Sequence, residues 1–338
     1  MLFRRRSNIR IALYTLTVLL LAGFFLNLRS GVIEQDSPFS DDGGDLTYQE
    51  DLGTYTSAPK SRVGQKAFVV ASQKTDDVDW LYTYFPDWEK FRYVVDDPKA
   101  ELTVPHNKGR ESMVYLTYLI DNYDNLPDYI LFLHPKRYQW HNDDPDYDGL
   151  PILRNFQLPY LEKEGYVNLR CAWQMGCPEE IKPYEKDNRE LQQQGHAGNS
   201  YYKAFKEIFG EDAVVPDLVA ISCCAQFALT RDKVRSIPLA KYQRLRDWLD
   251  NTELDDRISG RVMEYAWHIF FGKDAVYCPV AKDCYCKVFG LCSLNCTDPG
   301  GCEGQYILPP YSNLPDGWPL VGWDLKPRTR VVELDVPN

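Results

Sequence analysis

Three stretches of the chain combine residue types that could do chemistry. The first is Glu264-Tyr265-Ala266-Trp267-His268. On a continuous helix Glu264 and His268 stand four residues apart and face the same way. The carboxylate would then orient the imidazole, or either group would serve as general base toward a hydroxyl. Trp267 offers a flat apolar surface on which a sugar ring can stack. The competing reading is a core helix, because Met263, Ala266, Ile269 and Phe270 are apolar. A carboxylate such as Glu264 in so apolar a helix still needs a partner.

The second stretch is His106-Asn107-Lys108-Gly109-Arg110-Glu111. Asn107 suits the N-cap of a following helix, and Gly109 leaves room for close approach to the backbone. Lys108 and Arg110 would flank a helix N-terminus, where free N–H groups already favour an anion, so the pattern points to a phosphate or diphosphate. The GxxxxGK[ST] spacing of a P-loop is absent. A capped surface helix with ordinary charges is the competing reading.

The third stretch follows the most apolar run of the body. His134 ends the run Asp128–His134, and Trp140, His141, Asp143 and Asp144 follow it. A buried strand emerging into such residues is where an α/β protein places function. His134, His141, Asp144 and Asp146 are candidate ligands for a divalent cation, and nitrogen with carboxylate oxygen suits manganese or zinc better than calcium. Trp140 is a second candidate platform for substrate. Asp144-Pro145-Asp146 has the D-x-D form that holds a metal–diphosphate pair, although DDPDYDG also reads as a solvated turn. Arg231, which ends Gln226–Arg231 (QFALTR), is a further candidate phosphate contact or a helix cap.

These residues need elements to position them. Lys66–Ser72, Phe91–Val95, Asp128–His134, Tyr166–Cys171 and one or two runs within Asp217–Thr230 read as strands. Asp76–Phe85, Lys108–Tyr123, Ser200–Phe209, Leu239–Leu249 and Asp255–Phe271 read as helices; Met113, Leu116, Thr117 and Ile120 fall on one face at helical spacing. Strands alternating with helices predict an α/β fold with a mainly parallel sheet flanked by helices, ligands lying near the carboxyl ends of the strands. From Gly272 the chain is rich in Cys, Pro and Gly without periodicity, which predicts an irregular tail.

Charge is uneven along the 338 residues. The net charge is -11, yet residues 1–30 hold five arginines and no acid, leaving 33 basic against 49 acidic residues in the remainder. So acidic a body repels phosphate backbones, which argues against a nucleic-acid partner. Arg4, Arg5, Arg6 and Arg10 precede an apolar run from Ile11 to Leu28. Eighteen helical residues span about 27 Å, enough for a bilayer core. The expected layout is therefore a cytosolic tail (1–10), a transmembrane signal anchor (11–28) in the lipid bilayer, an acidic stalk (29–62), a luminal α/β domain (63–277) and a Cys-rich extension (278–338). A cleaved signal peptide competes, but no small-x-small site follows the run. That layout is a single-pass type II protein of the Golgi or endoplasmic reticulum.

Ten cysteines, none before Cys171, suit an oxidising lumen. Cys171 and Cys177 could close a small loop, and adjacent Cys223 and Cys224 are expected to pair elsewhere. A zinc site is the alternative, but the tail has Cys-x-Cys and x5 spacings and no His after His268. Asn295 begins the sequon Asn295-Cys296-Thr297, a candidate glycosylation site.

The segments VVASQKTDDVDWL, NKGRESMVYLTYLIDNYDNLPDYILFLH, CCAQFALTRDKV and GRVMEYAWHIFFG together resemble an uncharacterised fungal family of single-pass membrane proteins known as a domain of unknown function. The order of parts is also similar to that of GT-A-type nucleotide-diphospho-sugar transferases. There a D-x-D ends a central strand; here His134-Pro135 takes that place and Asp144-Pro145-Asp146 comes ten residues later. The resemblance implies transfer of a sugar from a nucleotide-diphospho-sugar to a glycan or protein hydroxyl. Asn107, Lys108, Gly109, Arg110 and Arg231 would hold the diphosphate, the His–Asp set a manganese ion, and Glu264 with His268 the base. The alternative is a non-catalytic, membrane-tethered carbohydrate- or protein-binding domain.

Overall fold

The computed structural model describes residues 64–185 and 197–328. Three parallel strands open the fold: β1 (Lys66–Ser72), β2 (Glu89–Val94) and β3 (Tyr129–Leu133). Helices α1 (Asp79–Tyr84) and α2 (Glu111–Asp121) connect them. Then come α3 (Gly149–Asn155), α4 (Leu158–Glu164), β4 (Tyr166–Asn168), α5 (Gly198–Phe209), β5 (Ala220–Ile221) and β6 (Phe227–Thr230). Helices α6 (Arg231–Arg235), α7 (Leu239–Asn251), α8 (Asp256–Glu264) and α9 (Trp267–Phe270) follow, before β7 (Val276–Tyr277) and α10 (Ala281–Phe289).

The five-stranded sheet has the order β2-β1-β3-β6-β4, and a separate two-stranded sheet joins β5 to β7. β6 runs antiparallel to both β3 and β4, so the sheet is mixed. This corrects the mainly parallel sheet expected from the sequence. The reason is that a strand buried on both faces gives the same apolar run in either direction. Only the pairing of Ile130 with Leu229 and of Phe132 with Phe227 reveals the reversal.

Alternation along the strands feeds two cores, one on each face of the sheet. Val69, Ile130, Phe132, Phe227 and Leu229 pack under α2, α7, α8 and α9, where Tyr115, Leu119, Tyr242, Val262 and Trp267 are buried. Phe68, Val70, Leu131 and Ala228 face the other way, against Leu81, Leu150, Leu161 and Tyr285 from α1, α3, α4 and α10. The C-terminal segment expected to be irregular thus contributes a helix to the second core. Ala281, Cys284, Tyr285, Val288 and Phe289 form its buried stripe, at the spacing a helix requires.

The cysteines in the described residues are all paired: Cys171–Cys284, Cys177–Cys278, Cys223–Cys224, Cys286–Cys292 and Cys296–Cys302. Cys171 and Cys177 therefore do not close a loop together, and the adjacent pair bonds to itself. Two of these bridges span 113 and 101 residues and tie the α10 region to the loop after β4. Asn295 of the sequon is exposed beside the last bridge. The tail, anchor and stalk expected at 1–62 lie outside the described residues. Among the described residues no helix is long and apolar enough to cross a membrane.

Candidate functional site

At the carboxyl end of β3 lies a cleft of about 190 Å³, bordered by Arg110, Glu111, His134, Trp140, His141, Met175, Cys224, Arg257, Arg261 and Glu264. Part of each of the three stretches singled out in the sequence reaches it. The loop before α2 delivers Arg110 through two consecutive residues of positive φ, Gly109 (66°) and Arg110 (55°). Gly109 has no substitute here, because a Cβ would fall 2.4 Å from Leu249 Cδ1. Its N–H donates to Asp256 Oδ1 at 3.1 Å, which fastens the loop to the start of α8. The Arg110 stem then crosses α8 at Gly260, where a Cβ would lie 2.9 Å from Arg110 Cδ. Arg110 is exposed, and its side chain makes no hydrogen bond or ion pair among the described residues.

Helix α8 supplies Arg257, Arg261 and Glu264 on one face, spaced i, i+4 and i+7. Arg261 bridges Glu180 at 2.7 Å and Glu264 at 3.3 Å. Burial raises the Glu264 pKa; Arg261 opposes that shift and Glu111 adds to it. Burial likewise raises Glu111 to about 7. Two mutually repelling carboxyls thus share the cleft with three arginines.

The opposite wall holds two stacked imidazoles, His134 and His141, with ring centroids 4.2 Å apart. His134 Nε2 lies 2.9 Å from the Cys224 carbonyl. A carbonyl only accepts, so Nε2 carries the proton in the neutral ring. Gln226 holds both histidine segments in place: its Oε1 accepts from the His134 N–H and its Nε2 donates to the His141 carbonyl. Burial lowers the pKa of each histidine, and the neighbouring His134 ring lowers His141 further. Trp140 tilts against His141 at 4.2 Å. Arg110, Met175 and Cys224 all have positive φ and all border the cleft, a concentration of backbone strain typical of functional sites.

Residues 68–287 match the model of a family described as protein of unknown function (DUF3431). The chain belongs to that family. No curated protein and no solved structure matches it. The DUF3431 match takes in every residue that borders the cleft.

Other residues singled out in the sequence are engaged elsewhere in this DUF3431 protein. Asn107 is exposed and does not cap α2, which begins only at Glu111. Lys108 Nζ donates to the Asp250 and Thr252 carbonyls at the end of α7. Arg231 forms an ion pair with Asp128. Trp267 lies in the core beside Phe227 and stacked on Phe271. The helix breaks at Tyr265 and Ala266, so Glu264 and His268 do not share one helical face. His268 Nε2 instead lies 3.0 Å from the Ala275 carbonyl, fully buried, and burial lowers its pKa to about 4.

The carboxylates after β3 are likewise committed. Asp144 Oδ1 accepts the Asp146 and Asp148 N–H groups, and Asp146 pairs with Arg328 at 2.6 Å. Asp144 and Asp146 do not border the cleft with His134 and His141. Among the described residues, the group of three or more metal-ligating side chains is Cys223, Cys224 and Glu264. Its two sulfurs are bonded to each other, so this donor set does not fit a divalent manganese ion. Sequence reasoning did not single out Glu111, Met175, Cys224, Arg257 or Arg261 as site residues. The spacing Arg257, Arg261, Glu264 was the readable signal, a charged face on a helix that also buries Ile258, Val262 and Met263.

Proposed function

We propose that the cleft is the active site of a secretory-pathway enzyme that transfers a sugar from a nucleotide-diphospho-sugar to a hydroxyl acceptor. The observation that carries this reading is the meeting of Arg110, His134, His141 and Glu264 from three separated stretches. Arg110 and Arg257, exposed at the rim, would hold the diphosphate, and Arg261 would keep Glu264 in position. Arg110 and Arg257 would supply the positive charge that draws an anion to the cleft. The acceptor oxygen would attack the anomeric carbon as the carbon–oxygen bond to the diphosphate breaks. The bonding pair leaves on the diphosphate, where the arginines stabilise the charge that develops. Glu264 would take the acceptor proton, and its raised pKa improves it as a base near neutral pH. The five disulfides support a luminal setting.

Calorimetric titration of the full chain with nucleotide-diphospho-sugars, with and without manganese, tests the reading. Binding is expected without the metal, and Arg110→Ala is expected to weaken it about tenfold or more, the loss of one charged contact. Glu264→Gln is expected to keep donor binding and lower transfer by about 10²–10⁴-fold. Absence of binding by every donor sinks the proposal. Donor binding without turnover in the parent chain would leave the non-catalytic binding domain as the better reading.

A further inference from the structure

Trp140 and His141 also border a second space. It is an open groove of about 770 Å³, bordered by the segment after β3 and by residues 312–318. The two spaces differ in chemistry. The small cleft carries three arginines. The groove has Asp76, Lys136 and Asp316 as its charged groups, and the first two lie 3.7 Å apart as an ion pair. It presents no excess of cations to an anion. Three aromatic residues, Tyr138, Trp140 and Trp318, border it, together with the exposed Asn313 and Asp316.

We propose that this groove binds a neutral oligosaccharide and is the acceptor subsite of the cleft. Flat aromatic faces stack on the C–H faces of sugar rings, while amide and carboxylate groups pair with their hydroxyls. Gln139 and His141 also border the groove and add an amide and an imidazole to its lining. The groove also falls within the roughly 300–1,000 Å³ that holds a ligand of moderate size.

Its outer wall is built rather than incidental. Trp318 Nε1 donates to the Asp146 carbonyl at 2.7 Å, and Arg328 both pairs with the Asp146 carboxylate and lies over the Trp318 ring at 4.7 Å. Asp146 therefore anchors one side of the groove. The role of the groove as acceptor subsite rests on the transfer reading above; its affinity for sugars rests on its own lining.

The test is calorimetric titration of the full chain with neutral tetrasaccharides of glucose, mannose and N-acetylglucosamine, and with uridine and guanosine diphosphates as competitors. At least one tetrasaccharide is expected to bind. The Asn313→Ala/Asp316→Ala double variant, altered only at exposed positions, should weaken that binding at least tenfold, and so should Trp140→Ala. Arg110→Ala should leave it unchanged, and the diphosphates should not compete. Circular dichroism melting confirms that the double variant folds. Binding of none of the tetrasaccharides, unchanged affinity in the double variant, or competition by a nucleotide overturns the proposal. Sugar binding without any donor binding keeps the groove and removes the transfer reading. Donor binding without sugar binding does the reverse.

Discussion

Glu111 and Glu264 border a cleft beside three arginines, and burial pushes both carboxyls up. Close by in sequence to His134 and His141, Asp143 commits both carboxylate oxygens to the fold, and Asp144 and Asp146 each commit Oδ1. Asp143 Oδ2 accepts the Cys171 and Ala172 N–H groups, and its Oδ1 accepts from the Tyr285 hydroxyl at 2.7 Å. The difference teaches that carboxylate density says little about chemistry. What matters is whether the lone pairs are already used and whether the group faces a space that a ligand can enter. The aspartates hold the loop after β4, helix α10 and the C-terminal segment together; the glutamates face a space that a ligand can enter.

The comparison is sharpest around Asp143, and the largest expected effect lies there. Removing both long bridges, Cys171–Cys284 and Cys177–Cys278, with four alanines opens separations of 113 and 101 residues, and the chain-entropy relation gives a loss of about 5 kcal/mol or more. Removing Cys296–Cys302 with two alanines, a separation of 6 residues, should cost about 2 kcal/mol. Denaturant unfolding of both variants checks the ratio; equal losses would mean that the long bridges do not organise the aspartate region.

Asp143→Ala comes next. It leaves two backbone N–H groups and the Tyr285 hydroxyl without their acceptor, at about 3 kcal/mol of stability. Glu264→Gln should change the same unfolding curve by less than about 1 kcal/mol, because the amide still accepts from Arg261. A reversed order of the two would break the division into structural and reactive carboxylates.

The pH dependence of stability carries a sign. Glu111 rises from an ordinary 4.5 to about 7 in the fold. Between those values the folded chain binds more protons than the unfolded one, so this group makes stability fall as pH rises from about 4.5 to about 7. Glu111→Gln should flatten that fall in a series of thermal melts. An unchanged slope would show that Glu111 is solvated. The smallest effect belongs to Asp146→Asn. Its ion pair with Arg328 is partly exposed, at 18% and 19% for the two side chains, so about 1 kcal/mol or less is expected. Donor affinity should not change with it.

Much of the local structure was legible in the residues. Lys66–Ser72 is β1 to the residue, and Asp128–His134 contains β3, because β-branched and aromatic runs between turn residues have few other uses. The α/β character followed from the same alternation, and the even cysteine count anticipated the disulfides. What sequence could not supply depends on residues far apart. The direction of β6 is set by its pairing with β3, about a hundred positions earlier, and a four-residue apolar strand carries no sign of it. The break at Tyr265 sends His268 into the core while Glu264 stays at the cleft, although both sit in one apolar run. Arg110 reaches the cleft because Gly109 and Gly260 clear its path, whereas Lys108, two residues before it, is drawn to the end of α7. Side-chain type and spacing are local and fix what each segment is able to do. Which of those groups meet is decided by long-range packing, where one missing Cβ or one reversed strand moves a charge from solvent into a shared cavity.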